Sequence, residues 1–329
     1  MIYASEFHRF YLSVMKNVTI IITILIGILC ISCENPSQKS EEPQSDISNI
    51  VYEDFDIQES PHDDEYYPSY VTFLEVPRYT YDEDTVFYWQ HWDDSWHYFP
   101  NLLCGNALRN YDTYLRTDND LFRRRFLKTA DRLIELSEIY NGGAYYPHEF
   151  FKTVHMRDTL YNPWYSGLCQ GFSICVFLRA YELTGDSIYS QQADYTFQSM
   201  INFRNSNEPW VVFIDPDGYY WSCEYPTIDP PLVFNGFMFA IYGLYDYYIY
   251  SRSQESEIVL KGAMTTIKHY IDSWRNPGGI SYYSVKTRNC NDEYHDYHIR
   301  MLRRLGRISG DSFFEAMADS FDSDDPYGH

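Results

Sequence analysis

The hydrophobic pattern divides the chain into distinct regimes. Val18 to Ile31 is a continuous apolar run without charge, preceded by Lys16. It is shorter than the ~20 residues a membrane-spanning helix needs, and it suits the core of a signal peptide that would start at Met15. Residues 34–64 are rich in Ser, Pro, Glu and Asp and carry no apolar period, which predicts a flexible tether. Residues 65–329 then form one folded domain. Within it, Tyr70 to Trp96 alternates in short aromatic stretches and predicts irregular strands.

Beyond Trp96 the period changes to that of helices. They are expected over Trp96–Leu115, Asp118–Tyr140, Ser166–Thr184, Asp186–Phe203, Leu232–Ser251, Gln254–Trp274, Asp292–Leu305 and Ser309–Ala318, with Asn141-Gly142-Gly143 read as a helix stop. Two interruptions stand out. Trp210 to Pro226 reads as two aromatic strands around Asp215-Pro216-Asp217-Gly218, and Ile280 to Val285 follows a Pro-Gly-Gly turn as a short extended piece. Successive long helices with inserts at their connections predict a mainly α fold. The expected architecture is an incomplete α/α toroid with a short β-hairpin insert and a few N-terminal strands. A helical solenoid is the competing architecture, but no fixed repeat period is present.

The apolar run ends in Leu29-Cys30-Ile31-Ser32-Cys33. A small residue before a cysteine at that point reads as a lipoprotein signal over residues 1–33. Lipid on Cys33 would anchor the protein in a bacterial cell envelope, in the periplasm or on the outer-membrane surface; the alternative is an ordinary cleaved leader with Cys33 incidental. The other cysteines, Cys104, Cys169, Cys175, Cys223 and Cys290, are odd in number and lack metal-ligand spacing. They read as buried thiols, so neither a disulfide framework nor a metal site is expected.

A formal charge of −22 excludes a nucleic-acid partner, although part of it lies in the tether and in Asp322 to Asp325. An anionic substrate would need a locally positive or donor-rich site. The 34 Tyr and 21 Phe suit sugar faces as well as a core.

Three separated motifs carry candidate chemistry. The first is Tyr161-Asn162-Pro163-Trp164-Tyr165-Ser166-Gly167-Leu168-Cys169-Gln170-Gly171, continuing to Leu178-Arg179-Ala180-Tyr181. The second is Glu224-Tyr225-Pro226-Thr227, followed by Asn235-Gly236-Phe237 and Gly243-Leu244-Tyr245-Asp246. The third is Tyr294-His295 with His298-Ile299. In this order they resemble the WYS…QG…LxRAY, EYPT…NGF…GLYD and DYHxxHI segments of the D-glucuronyl C5-epimerases, from about Tyr145 to Arg304.

The resemblance implies inversion at C5 of glucuronate or iduronate units in a glycosaminoglycan-like glycan, without cofactor or metal. C5 lies beside the carboxylate, so losing its proton gives an enediolate-like intermediate, and reprotonation from the other face inverts the centre. Acid/base groups must flank the ring, and donors must hold the carboxylate.

The resemblance places Glu224, Tyr225 and Tyr294 at the catalytic positions, with Tyr294 facing the Glu224/Tyr225 pair across the ring. On a regular strand Glu224 and Tyr225 would point to opposite sides, unless Pro226 ends the ladder and permits a twist. Their structural alternative is a capping or ion-paired carboxylate and a core ring. Tyr165, Gln170, Asn235, Tyr282 and His298 are candidate substrate-binding residues. Against this, Tyr165 reads equally as a packing ring, Asn235 as an N-cap and His298 as a helix-packing residue. Lys286 and Arg288 are the cations offered for the carboxylate. Three other outcomes compete: a uronate lyase, an α/α glycoside hydrolase needing two carboxyls ~5–9.5 Å apart, and a non-catalytic glycan-binding surface lipoprotein.

Overall fold

A computed structural model of the chain describes residues 46–60, 78–155, 157–204 and 208–325. The expected signal run, Cys33 and residues 34–45 of the expected tether lie outside the described residues. No described helix is long and apolar enough to cross a membrane.

Among the described residues there are eight α-helices: α1 (Pro100–Thr117), α2 (Asp120–Leu136), α3 (Gly167–Thr184), α4 (Ser187–Ser199), α5 (Phe234–Ser251), α6 (Gln254–Tyr270), α7 (Asp292–Ser309) and α8 (Ser312–Asp324). Their boundaries have local causes. α1 starts four residues later than its pattern suggests, because Pro100 supplies the fixed φ of a first helical position and Trp96–His97 pair as a strand. Asn119, Asp186, Ser253, Asn291 and Asp311 cap the starts of α2, α4, α6, α7 and α8 by accepting backbone N–H groups. Asp118, Gly185, Arg252 and Gly310 end α1, α3, α5 and α7 in the left-handed conformation.

The helices form consecutive hairpins. α1, α3, α5 and α7 pack on one another in that order, and α2, α4, α6 and α8 back them. The fold is therefore mainly α, an incomplete α/α toroid. α3 and α5 form its tightest seam. A Cβ on Gly243 would stand 2.2 Å from the Gly171 carbonyl oxygen, so the two backbones touch where neither has a side chain. Both helices are buried over most of their circumference, which explains why they are apolar all round.

The strands are short. β1 (Tyr79–Tyr81), β2 (Phe87–Gln90) and β3 (Trp96–His97) make an antiparallel sheet at the N-terminal side. β4 (Glu138–Tyr140) pairs with β5 (Gly143–Tyr145), β6 (Lys152–Val154) with β7 (Asp158–Leu160), and β8 (Val212–Ile214) with β9 (Tyr220–Ser222). The β8–β9 hairpin turns at Asp215–Gly218, as its sequence signals. The Asn141-Gly142 pair corrects its reading as a helix stop. Both residues have positive φ, 50° and 76°, the geometry of a two-residue hairpin turn, and α2 ends earlier, at Leu136.

Residues 46–60 also depart from the expected tether. They form a docked strap: Ile50 and Phe55 are buried, and the backbone amides of Val51, Glu53, Gln58 and Ser60 bond Gly218 O, Thr265 Oγ1, Ile308 O and the Tyr245 hydroxyl at 2.8–2.9 Å. The apolar residues are few but fall where the helices leave room. Ile50 fills the space above Gly262 of α6, where a Cβ would meet Ile50 Cγ2 at 2.3 Å.

Candidate active site

Past Ser222 the β8–β9 ladder stops, and Glu224 and Tyr225 follow on backbone free of strand pairing. Both side chains therefore reach one cavity of about 260 Å³. α1 supplies its Asn101, Leu102, Gly105, Asn106 and Arg109. α3 adds Leu168 and Phe172, α5 adds Asn235 and Phe239, and the first turn of α7 adds Tyr294, with Phe99 just before α1 completing the lining. The objection from strand alternation is met by the end of the strand itself.

Glu224 is only 7% exposed. Its Oε2 accepts the Tyr283 hydroxyl at 3.2 Å, and the Tyr225 hydroxyl is a second hydrogen-bond partner. Burial pushes the Glu224 carboxyl above its usual range, and Tyr225, nearby Lys152 and Tyr283 offset part of that rise. Burial pushes the phenols of Tyr225 and Tyr283 up as well, with the Glu224 charge adding to it. The Tyr283 and Tyr294 ring centres lie 4.8 Å apart, so the carboxylate and three tyrosines form one cluster.

The β6–β7 hairpin borders the cluster. Lys152 Nζ stands 5.3 Å from the Tyr225 ring centre, and the His155 ring is 5.6 Å from Tyr283 and 6.2 Å from Tyr225. Under the α1 wall, His148 stacks on Trp164 at 3.9 Å and its Nε2 lies 3.1 Å from the Asn101 amide. Burial pulls His148 down to about 3, which keeps the ring neutral.

Asn235 is buried at 4%, lines the cavity, and its Oδ1 has no hydrogen-bond partner. Val233, and not Asn235, is the N-cap of α5, so the capping alternative does not hold.

Four other expected binding residues are placed elsewhere. Tyr165 donates to Glu138 Oε2 at 2.5 Å and packs on Tyr145, facing a separate groove beside Trp164 and Trp210. Gln170 is fully buried, with Nε2 donating to Ala144 O at 2.6 Å, so it fastens α3 to β5. His298 is fully buried 2.7 Å from Ser281 Oγ and edge-on to Phe234, and burial pulls it down to about 3. Tyr282 donates to Asn276 Oδ1 at 3.1 Å, away from the cavity.

Tyr283 takes the place expected of Tyr282, because successive residues on extended backbone face opposite ways. The sequence around Tyr282-Tyr283 carries no local signal for that one residue of register. Arg109 and the α1 amides had no motif at all. The cations expected to serve the carboxylate are also elsewhere: Lys286 pairs with Asp229, and Arg288 lies over the Tyr282 ring at 5.6 Å. Among the described residues no group of three or more His, Cys, Asp and Glu is arranged to hold a metal ion. Cys104, Cys169, Cys175 and Cys223 are buried as expected, whereas Cys290 is exposed.

The D-glucuronyl C5-epimerase C-terminus family matches residues 140–323. A D-glucuronyl C5-epimerase of Caenorhabditis elegans is 24% identical over 213 residues, 59% of this chain and 34% of that protein. An uncharacterized protein of Methanocaldococcus jannaschii is 26% identical over 152 residues, 46% of this chain and 49% of that protein. The chain thus spans 49% and 34% of these relatives' lengths. Among solved structures, a GH76 alpha-mannanase of Bacteroides thetaiotaomicron superimposes with a TM-score of 0.51 at 11% identity, over 74% of this chain and 63% of that one. At that identity the likeness concerns the fold alone.

Proposed function

The chain belongs to the D-glucuronyl C5-epimerase C-terminus family, and from that premise we propose that it inverts C5 of uronic acid units in a glycosaminoglycan-like glycan. The observation that carries the reading is the buried Glu224 carboxylate, bonded to tyrosine hydroxyls in a cavity that also contains Tyr294. A carboxylate raised by burial is a stronger base than one in water, which suits removal of a weakly acidic C–H proton.

In this reading the C5 proton passes to the Glu224/Tyr225 pair, and the C–H electron pair moves into the carboxylate as an enediolate. Tyr294 returns a proton to the opposite face of C5. The direction reverses for the other epimer. Each turnover leaves one group with an extra proton and the other short of one, and exchange with water restores both. The Asn235 Oδ1, short of a partner in the cavity, would accept a hydrogen bond from a sugar hydroxyl.

The restoring exchange provides the test. Glucuronate oligosaccharides incubated with the protein in deuterated water should gain deuterium at C5 and acquire the inverted epimer. A 4,5-unsaturated product would indicate a lyase, a new reducing end a hydrolase, and unchanged sugar with measurable binding a non-catalytic glycan receptor.

We also propose that the mature protein starts at Cys33 and is held at a membrane by lipid on that residue. The support is the Ser32-Cys33 pair at the end of the uncharged run from Val18. Cys33→Ala should release the protein from the membrane fraction or trap the precursor. An unlipidated variant that stays membrane-bound refutes the anchor.

A further inference from the structure

We infer that Arg109 of α1 receives the carboxylate of the uronic acid, a role that rests on the epimerase reading above. That reading requires a cation. The substrate enters with one negative charge on its carboxylate, and the intermediate places a second on the same group. Glu224, negative while ready to act as base, repels the first until it takes the C5 proton. Among the described residues lining the cavity Arg109 is the cation; Lys152, the other cation near the cluster, stands over the Tyr225 ring and offsets the charge of Glu224 itself. A guanidinium offers paired donors that match the two carboxylate oxygens.

The geometry of α1 supports the assignment. Leu102, Gly105, Asn106 and Arg109 follow the three- and four-residue spacing of one helix face, and all four line the cavity. Side chains on a helix lean towards its N-terminus, so Arg109 reaches back over the turn that holds Gly105. Gly105 is not required by packing: a Cβ there would meet nothing within 4 Å. A glycine inside a helix costs about 1 kcal/mol relative to alanine, so α1 gives up stability where it keeps space open beside Arg109.

Arg109 interacts electrostatically with Tyr81 of β1 and with Tyr297 of α7, whose ring centre is 6.2 Å from that of Tyr294. Arg109 and Tyr294, the proposed returning acid, line the same cavity. α1 precedes residue 140, so the chain's own N-terminal part supplies this contact, outside the segment that matches the family.

The experiment uses an oligosaccharide of alternating glucuronate and N-acetylglucosamine, and the same oligosaccharide with its carboxyls reduced to alcohols. Binding is measured by calorimetry and C5 exchange in deuterated water, for the parent, R109K and R109Q, with thermal unfolding as the folding control. The parent should favour the uronate form. R109Q should lose that preference and raise the KM for exchange by about 10²-fold, the effect of losing a charge-assisted pair of hydrogen bonds. R109K should fall between them, since it keeps the charge without the fork.

A parent that exchanges C5 while R109Q keeps both its preference and its KM overturns the anchor alone. A parent that exchanges no glucuronate substrate overturns the epimerase reading and the anchor with it. Should R109Q not fold, R109K decides, and an unchanged KM in it is equally fatal.

Discussion

The Glu224 carboxylate occupies the space that a side chain on Gly236 would need: a Cβ there would stand 2.5 Å from Glu224 Oε2 and 2.7 Å from its Cβ. Gly236 lies in the first turn of α5, where the helix end is partially positive and favours an anion. The glycine therefore does two things. It admits the carboxylate to the helix end, and it fixes where the acid stands in the cavity. Gly236→Ala should displace Glu224 and reduce C5 exchange by at least about 10²-fold, the low end of what a positioned acid or base supplies. Its kinetics should resemble those of Glu224→Gln. An alanine variant with parental exchange would mean that the carboxylate's position is not critical.

The neighbouring tyrosines make a sharper comparison. Tyr283 donates to Glu224, and Tyr282 donates to Asn276 outside the cavity. Tyr283→Phe and Tyr294→Phe each remove one hydroxyl and no ring volume. Both should keep the fold and lower exchange by about 10²-fold or more. Tyr282→Phe should leave exchange within about twofold, as a surface-type substitution does. The reverse ranking, measured by mass spectrometry of deuterium uptake, would restore the register expected from sequence.

Much of this arrangement was legible beforehand, because each legible part had a local cause. The periodic apolar helices, the Asp-Pro-Asp-Gly hairpin and the Glu224-Tyr225 and Tyr294 motifs all announce themselves within a few residues. Tyr283 does not, since Tyr282 and Tyr283 are identical side chains and the non-local pairings of Val233 with Ser284 and of Tyr282 with Cys290 set which one turns inward. Arg109 lies on a helix whose cavity face is a mixture of Leu, Gly, Asn and Arg, unlike a motif. The strap departs from its tether-like composition for a third reason. Ile50 and Phe55 are isolated in a polar stretch, and their burial depends on gaps in α6 and α8 that no local pattern encodes.

Two buried histidines fix the response to acid. Burial holds His148 and His298 down at about 3, below the ordinary value of 6.5. The unfolded chain therefore takes up these protons first. Their stabilisation is complete above about pH 6.5 and is lost as pH falls from there towards 3. Each should remove about 2 kcal/mol between pH 7 and pH 5. Glu224 acts in the other direction. Its folded pKa is raised above the ordinary 4.5, so its contribution is present below that value and is lost as pH rises through the folded one. Urea unfolding of His298→Gln should show a shallower loss from pH 7 to pH 5 than the parent, whatever the substitution costs at pH 7. Equal slopes would mean that His298 is already exposed to protons in the folded protein.

Gly105 separates stability from activity. Gly105→Ala should raise stability by about 0.5–1 kcal/mol, because the helix gains and nothing is displaced. Gly105→Leu should fold as well as the parent yet place its branched end in the 260 Å³ cavity. Exchange should then fall far more than stability does. A leucine variant with full activity would show that substrate does not use the space beside α1.

The strap gives the last prediction, and it separates packing from surface charge. Residues 46–60 cover α6 and reach α8: Ile50 sits over Gly262, and Phe55 lies against Phe314 with ring centres 6.0 Å apart. Burial of two such side chains contributes about 1.5–3 kcal/mol each, and the backbone bonds at Val51, Glu53, Gln58 and Ser60 would lose their partners together. A chain shortened to begin after Ser60 should therefore melt well below the parent. Ile50→Ala alone should cost about 2–4 kcal/mol, since the space over a glycine cannot close. Glu53 also touches the body of the protein, at 2.6 Å from Lys268 Nζ, but the carboxylate is half exposed and Lys268 keeps Asp311 at 2.8 Å. Glu53→Gln should accordingly cost less than about 1 kcal/mol. If the shortened chain unfolds at the parental temperature, the strap contributes nothing to the core. If Glu53→Gln costs as much as Ile50→Ala, charge and not packing is what holds the strap in place.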